Sequence, residues 1–132
     1  MGWDWGMGER AAASTCSPKK KKKHSPHLTL LTQLQSIDGV TVYGPNPHTT
    51  RHRAALASFN VAGLHASDVS ALLDAAGVAV RAGHHCAQPL HAALGVAASA
   101  RASPYIYNTP AEVVEFGKQL REAIQFFRDA GL

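Results

Sequence analysis

The sequence predicts an α/β domain, more strictly α+β: a small, largely antiparallel sheet covered by helices. Three observations lead there. Short alternating or β-branched runs are separated by stretches of helical periodicity, glycine and proline clusters close most of these segments, and the longest amphipathic stripe comes last. A chain of 132 residues suits one such domain with one core, and no internal repeat or second domain is visible.

Composition changes at Ser25-Pro26, which places the boundary between a disordered basic leader, residues 1–27, and a domain over 28–132. Leu28, Leu30, Leu31 and Leu34 open the domain with a helical pattern. Val40 to Tyr43 alternates as a short strand and runs into the turn Gly44-Pro45-Asn46-Pro47, followed by a polar loop through Arg53. Ala55 to Val61 reads as a second strand. Ser67-Asp68 offers a helix cap ahead of Val69, Leu72 and Leu73, Gly77 stops that helix, and His65 suits the helix entry. Val78-Ala79-Val80 is expected as a short buried strand that delivers the loop after Arg81. Ala87 to Leu94 forms a helix with Pro89 in its first turn and Gly95 closing it. Ala100 to Tyr107 is extended, with Pro104 arguing for an edge position or a bulge, and Tyr107-Asn108 shapes a turn. Thr109-Pro110-Ala111-Glu112 then starts the longest helix, striped by Val113, Phe116, Leu120, Ile124 and Phe127.

The net charge of +4 belongs to the leader. Arg10 and Lys19 to Lys23 supply six of the thirteen basic residues, and Asp4 and Glu9 only two of the nine acids, so the domain is balanced. No nucleic-acid surface is expected on it. The lysine run admits a nuclear signal, a polyanion contact or a solvated tail without function. No apolar stretch approaches the roughly 20 residues of a membrane span, which predicts a soluble protein. Two cysteines make no disulfide framework, so a reducing compartment is expected; residues 1–27 lack the apolar core of a secretory signal, and their acids fit a transit peptide poorly.

Arg81-Ala-Gly-His-His-Cys86-Ala-Gln-Pro89 sets a cysteine beside two imidazoles, a glycine and a guanidinium. Thiolate is the nucleophilic form of cysteine, and cationic neighbours favour it, so Arg81 with His84 or His85 would lower the Cys86 pKa. The competing reading is a half-buried cysteine at a strand end. A zinc site of Cys86 with His84, His85 and His91 is disfavoured, because adjacent residues point apart and no second cysteine pair exists. His48, His52 and His91 are expected to be solvated or locally bonded. Arg101 alone reads as a surface salt bridge.

Joined to Arg101-Ala-Ser103 and Tyr107-Asn-Thr109, and to Val42-Tyr43-Gly44-Pro45, Ser58-Phe59-Asn60 and His65-Ala-Ser-Asp68, the cysteine segment resembles the C-terminal region of SUF-type, or group II, cysteine desulfurases. These are pyridoxal-phosphate enzymes of the class V aminotransferase family. The resemblance covers residues 28–132 and implies the C-terminal small domain of a fold-type I pyridoxal-phosphate enzyme. It implies that Cys86 takes sulfur from L-cysteine as a persulfide, leaving L-alanine, for iron–sulfur cluster assembly. Arg101 then pairs with the substrate carboxylate through its planar fork, Arg81 is a second active-site arginine, and His84 and His85 match the paired histidines of the motif.

The resemblance also implies a lysine that carries the cofactor, in a large N-terminal domain that these residues do not contain. Lys118, the only lysine outside the leader run, falls in the last helix without the family's lysine motif. Independent activity is therefore not expected. Pro104 departs from the apolar residue usual in the family, and is expected to bend the Arg101 strand and weaken its pairing. Two other functions compete: a sulfur-carrier or interaction module binding a desulfurase or a SUF-type sulfur acceptor, and a basic-tailed polyanion binder using Lys19 to Lys23. Expected partners are L-cysteine, that acceptor, and a full-length desulfurase or a second copy; the expected compartment is plastid or cytoplasm.

Overall fold

The computed structural model describes residues 26–46 and 54–131. Expectations for residues 1–25 of the leader, with its lysine run and Cys16, and for His48 and His52 in the polar loop, lie outside them, while Pro26 and His27, counted with the leader, are helical. The order is α1 (Pro26–Gln35), β1 (Val40–Tyr43), β2 (Ala57–Val61), α2 (Ala66–Ala75), β3 (Arg81–Gly83), α3 (Gln88–Ala93), β4 (Ser99–Ala102) and α4 (Pro110–Asp129). The four strands form one antiparallel sheet in the order β1-β2-β4-β3. The expected small antiparallel sheet with helices is what forms.

Alternation divides the sheet. Ala57, Phe59 and Val61 of β2 and Ala100 and Ala102 of β4 are buried against Leu30, Leu31 and Leu34 of α1, Val69 and Leu73 of α2, and Val113, Phe116, Leu120 and Ile124 of α4. Phe59 and Phe116 meet edge-on, their ring centres 6.1 Å apart. Helices α1 and α4 cross closely at Gly117, where a Cβ would come within 2.6 Å of Gln33 Oε1. Phe127, expected on the buried stripe, is only half-buried.

Caps set the helix ends. The Thr109 hydroxyl accepts the Glu112 N–H at 3.3 Å while Glu112 Oε2 accepts the Thr109 N–H at 2.7 Å, the capping box expected for α4. Helix α2 starts two residues earlier than Ser67-Asp68 suggests. His65 is its cap, with Nδ1 accepting the Ser67 N–H at 3.3 Å.

The third strand is Arg81–Gly83, not Val78–Val80. The reason lies in the end of α2: with Gly77 at φ +79°, the Gly77 N–H reaches Asp74 O and the Val78 N–H reaches Leu73 O, a Schellman closure. Ser70 Oγ donates to Val80 O at 3.0 Å. These backbone groups serve α2 and leave the ladder to the next three residues.

Strand β4 is central and ends at Ala102, so Pro104 lies outside the ladder and removes no bond from it. The expected bend and weakened pairing of the Arg101 strand do not occur: Arg101 stays in register with Ser58 and Arg81. Beyond Pro104, the Tyr105 N–H donates to Asn108 Oδ1 at 2.7 Å and the Asn108 N–H to Tyr105 O at 3.0 Å, the turn expected there.

Candidate active site

The strand positions that alternate with the core carry polar side chains. Register sets Tyr43, Ser58, Arg101 and Arg81 in one row across all four strands. Asn60 and Ser99 follow two residues along β2 and β4 on the same face, and Asn60 Nδ2 donates to Ala98 O at 2.9 Å and to Tyr43 Oη at 3.3 Å. This open face has no helix of the core layer on it.

Two guanidinium groups stand opposite one another in the row, an arrangement disfavoured unless an anion joins them. Among the described residues neither has an ion-pair partner, and Arg101 Nε is buried without a hydrogen bond, as is Asn60 Oδ1. A buried N–H of a charged group left unpaired is costly. The centre of the row therefore suits an incoming carboxylate or other anion.

From Arg81 the chain leaves the sheet edge through Gly83, at φ +134°, into the His84-His85-Cys86 loop. His85 at φ 51° and Cys86 at φ 60° are both left-handed without being glycine, a geometry costing about 1–2 kcal/mol per residue. Cys86 is a free, exposed thiol, so the half-buried reading fails. His84 and Arg81 are exposed, while Arg101 and His85 are partly buried.

His85 ties the loop back to β4: its Nε2 lies 2.9 Å from Ser99 O, and since a carbonyl only accepts, that nitrogen carries the proton. Burial holds the His85 pKa below the usual imidazole range, and the neighbouring Arg101, His91 and Arg81 add to this against the Ser99 bond. The ring is thus a neutral group at neutral pH, standing where both arginines and the cysteine loop converge. Among the described residues no hydrogen bond or ion pair joins the Cys86 sulfur to Arg81, His84 or His85.

His91, expected to be solvated or locally bonded, is 5 % exposed and bonded through both ring nitrogens. With Ser99, Tyr43 and Ser58 it lines a largely apolar groove of about 380 Å³ between β1 and α3, walled by Leu56 and Leu94. Sequence reasoning passed over Ser99. The signal available was its place two residues before Arg101, in a strand whose intervening residue is an alanine. Among the described residues no group of three His, Cys, Asp or Glu side chains is placed to hold a metal ion.

The aminotransferase class V family matches residues 11–116. The chain belongs to the class V aminotransferase family. Among curated members, a probable cysteine desulfurase of Synechocystis is 54 % identical over 98 residues, covering 73 % of this chain and 23 % of that protein. One from Halobacterium salinarum is 54 % identical over 95 residues, covering 72 % and 22 %. Two solved members have the same fold. A cysteine desulfurase of Thermococcus onnurineus, in its apo form, matches at TM-score 0.67 and 37 % identity over 76 % of this chain and 25 % of its own. A cysteine desulfurase of Escherichia coli in its S-sulfonic acid form matches at TM-score 0.68 and 33 % identity over 76 % and 24 %. The chain spans about a quarter of the length of these relatives.

The cysteine desulfurases of this family use pyridoxal phosphate, which a lysine must anchor. Lys118, the only lysine among the described residues, is exposed on α4 between Glu115 at 3.7 Å and Glu122 at 3.8 Å, on a helix that packs against the other face of the sheet. It does not fit that role. No described helix is long and apolar enough to cross a membrane.

Proposed function

We propose that the chain is the cysteine-bearing C-terminal small domain of a SUF-type, group II cysteine desulfurase. Cys86 takes the sulfur: L-cysteine and the Cys86 thiol become L-alanine and a Cys86 persulfide, with the cofactor and its lysine supplied by residues outside these 132. The division at residue 27 belongs to this reading, although the family match extends upstream to residue 11. The observation that carries the proposal is the exposed Cys86 on a loop leaving the sheet beside the Arg81–Arg101 pair, whose inner member has a buried, unpartnered Nε.

The roles follow from chemistry. Arg101, whose guanidinium has no ion-pair partner among the described residues, binds the substrate carboxylate; Arg81 adds the second positive charge. His85, neutral and already donating through Nε2, presents Nδ1 as a base for a thiol or substrate proton. His84, exposed on the same loop, is its neighbour at the thiol. A reducing compartment, plastid or cytoplasm, suits a free thiol. Iron–sulfur assembly and a SUF-type acceptor are the destination of the sulfur in this reading.

The exposure of Cys86 favours one second reading, a sulfur carrier, because accepting a persulfide needs only an accessible thiol. Mixing the chain with a separately made lysine-bearing large domain, pyridoxal phosphate and L-cysteine separates the two. Alanine release that Cys86→Ala abolishes and Arg101→Lys strongly reduces supports the split enzyme. Sulfur on Cys86 only when a complete desulfurase is present supports the carrier, and sulfur under neither condition contradicts both.

A further inference from the structure

We infer, on the reading that Cys86 is the sulfur acceptor, that His91 and Ser99 are positioning residues for its loop. They form one hydrogen-bonded bridge that grips the chain on both sides of the thiol. Ala87 O, immediately after Cys86, receives the His91 N–H at 3.1 Å and lies 2.9 Å from His91 Nδ1. A carbonyl only accepts, so Nδ1 carries a proton, and the other nitrogen of the singly protonated ring is left as an acceptor. Ser99 Oγ lies 2.9 Å from that nitrogen and donates to it. The same serine's carbonyl receives His85 Nε2–H, from the residue immediately before Cys86. Both neighbours of the thiol thus converge on one residue of the central strand.

Two features show that the loop needs such a grip. His85 and Cys86 hold left-handed conformations that side chains disfavour, and these persist only where surroundings over-determine them. Helix α3 has six residues and its cap residue Ala87 makes no side-chain cap bond, so α3 is too short to seat itself. A third feature concerns composition. His91 and Ser99 are 5 % and 2 % exposed, and a leucine or methionine at 91 would pack without polar requirements. Buried polar groups that satisfy each other fix direction as well as contact. His91 makes no described contact with the Cys86 sulfur, so its action is through the loop.

The test uses the 132-residue chain with Cys16→Ser, leaving Cys86 as the sole thiol. Ser99→Ala deletes the hydroxyl and keeps the ladder and the carbonyl; His91→Asn keeps an amide donor near Ala87 O and falls short of Ser99. Amide hydrogen exchange is read at Ala87, whose N–H is bonded to His84 O, against the amides of β2 and α4. The bridge predicts about tenfold faster exchange at Ala87 in either variant with β2 and α4 within about twofold, and a double variant no faster than the faster single one. Uniform acceleration across the fold, no change at Ala87, or single effects that multiply would each overturn it. Ring nitrogen spectra of the chain without either substitution give a check that needs no variant: His91 protonated at Nδ1 and His85 at Nε2 are expected, and the same tautomer in both contradicts the bridge. None of these readouts involves sulfur transfer, so a Cys86 that fails to take sulfur leaves them standing, and the reverse holds.

Discussion

The two faces of the sheet are built on opposite principles. On the helix side every inward position is apolar, and Leu34, Phe59, Leu73 and Leu120 are fully buried. On the other side the same strands, one residue out of phase, present Ser58, Asn60, Arg101 and Arg81, with an unpaired Arg101 nitrogen and an unpaired Asn60 oxygen. The first face stabilises the domain; the second leaves polar groups waiting for a partner and carries two strained residues at its edge. A period of two lets strands of three to five residues do both, because each substitution falls wholly on one side.

Substitutions that respect this division should have effects of different size and kind. The largest is expected on the closed face. Phe59→Ala empties the centre of the core and should cost about 3–5 kcal/mol in urea unfolding. A cost below about 1 kcal/mol would mean that this face does not hold the fold. At the start of α4, Thr109→Ala removes one half of the capping box and should cost about 1 kcal/mol by the same measurement. Glu112, the other half, has its pKa lowered by the Thr109 N–H and the Asn108 amide. Its contribution is complete above the unfolded carboxylate range and is lost as pH falls through the folded value.

On the open face the sign should reverse. Cys86→Gly relieves a left-handed side-chain conformation and should raise stability by up to about 1 kcal/mol while abolishing sulfur acceptance. A stability loss at this position would show that the loop is not strained. The smallest effect is in pH. The His85 pKa is lowered on folding, so below about pH 6.5 the unfolded chain binds more protons than the folded one and stability falls until the folded value is passed. Comparing urea midpoints at pH 7.5 and 5.5, His85→Asn should flatten that slope; an unchanged slope would place the titration elsewhere.

The closed face was legible in the sequence because periodicity reports burial directly: the leucines of α1, the alternation of β2 and the stripe and capping box of α4 stand where the residues put them. The Cys86 loop and its arginines were legible as a motif. What escaped was decided by hydrogen bonds whose partners periodicity does not report. Val78 and Val80 look like a strand, and the closure of α2 takes their backbone groups. Pro104 looks like a defect in the Arg101 strand, and the ladder stops short of it. His91 looks like one of several surface histidines, and becomes buried because Ser99, eight residues on, folds back beneath it. Gly77 marks the end of α2 in the sequence, but which backbone groups its closure takes, where the β4 ladder stops and what covers His91 are settled by packing.

In the proposed reading the open face brings the sulfur of L-cysteine to Cys86. The decisive measurement is peptide mass mapping of the chain after incubation with L-cysteine, pyridoxal phosphate and a separately made lysine-bearing large domain. A gain of one sulfur on the Cys86 peptide is expected, reversed by a reducing thiol and absent in Cys86→Ala. Sulfur found on the Cys16 peptide alone, or on neither, would contradict it.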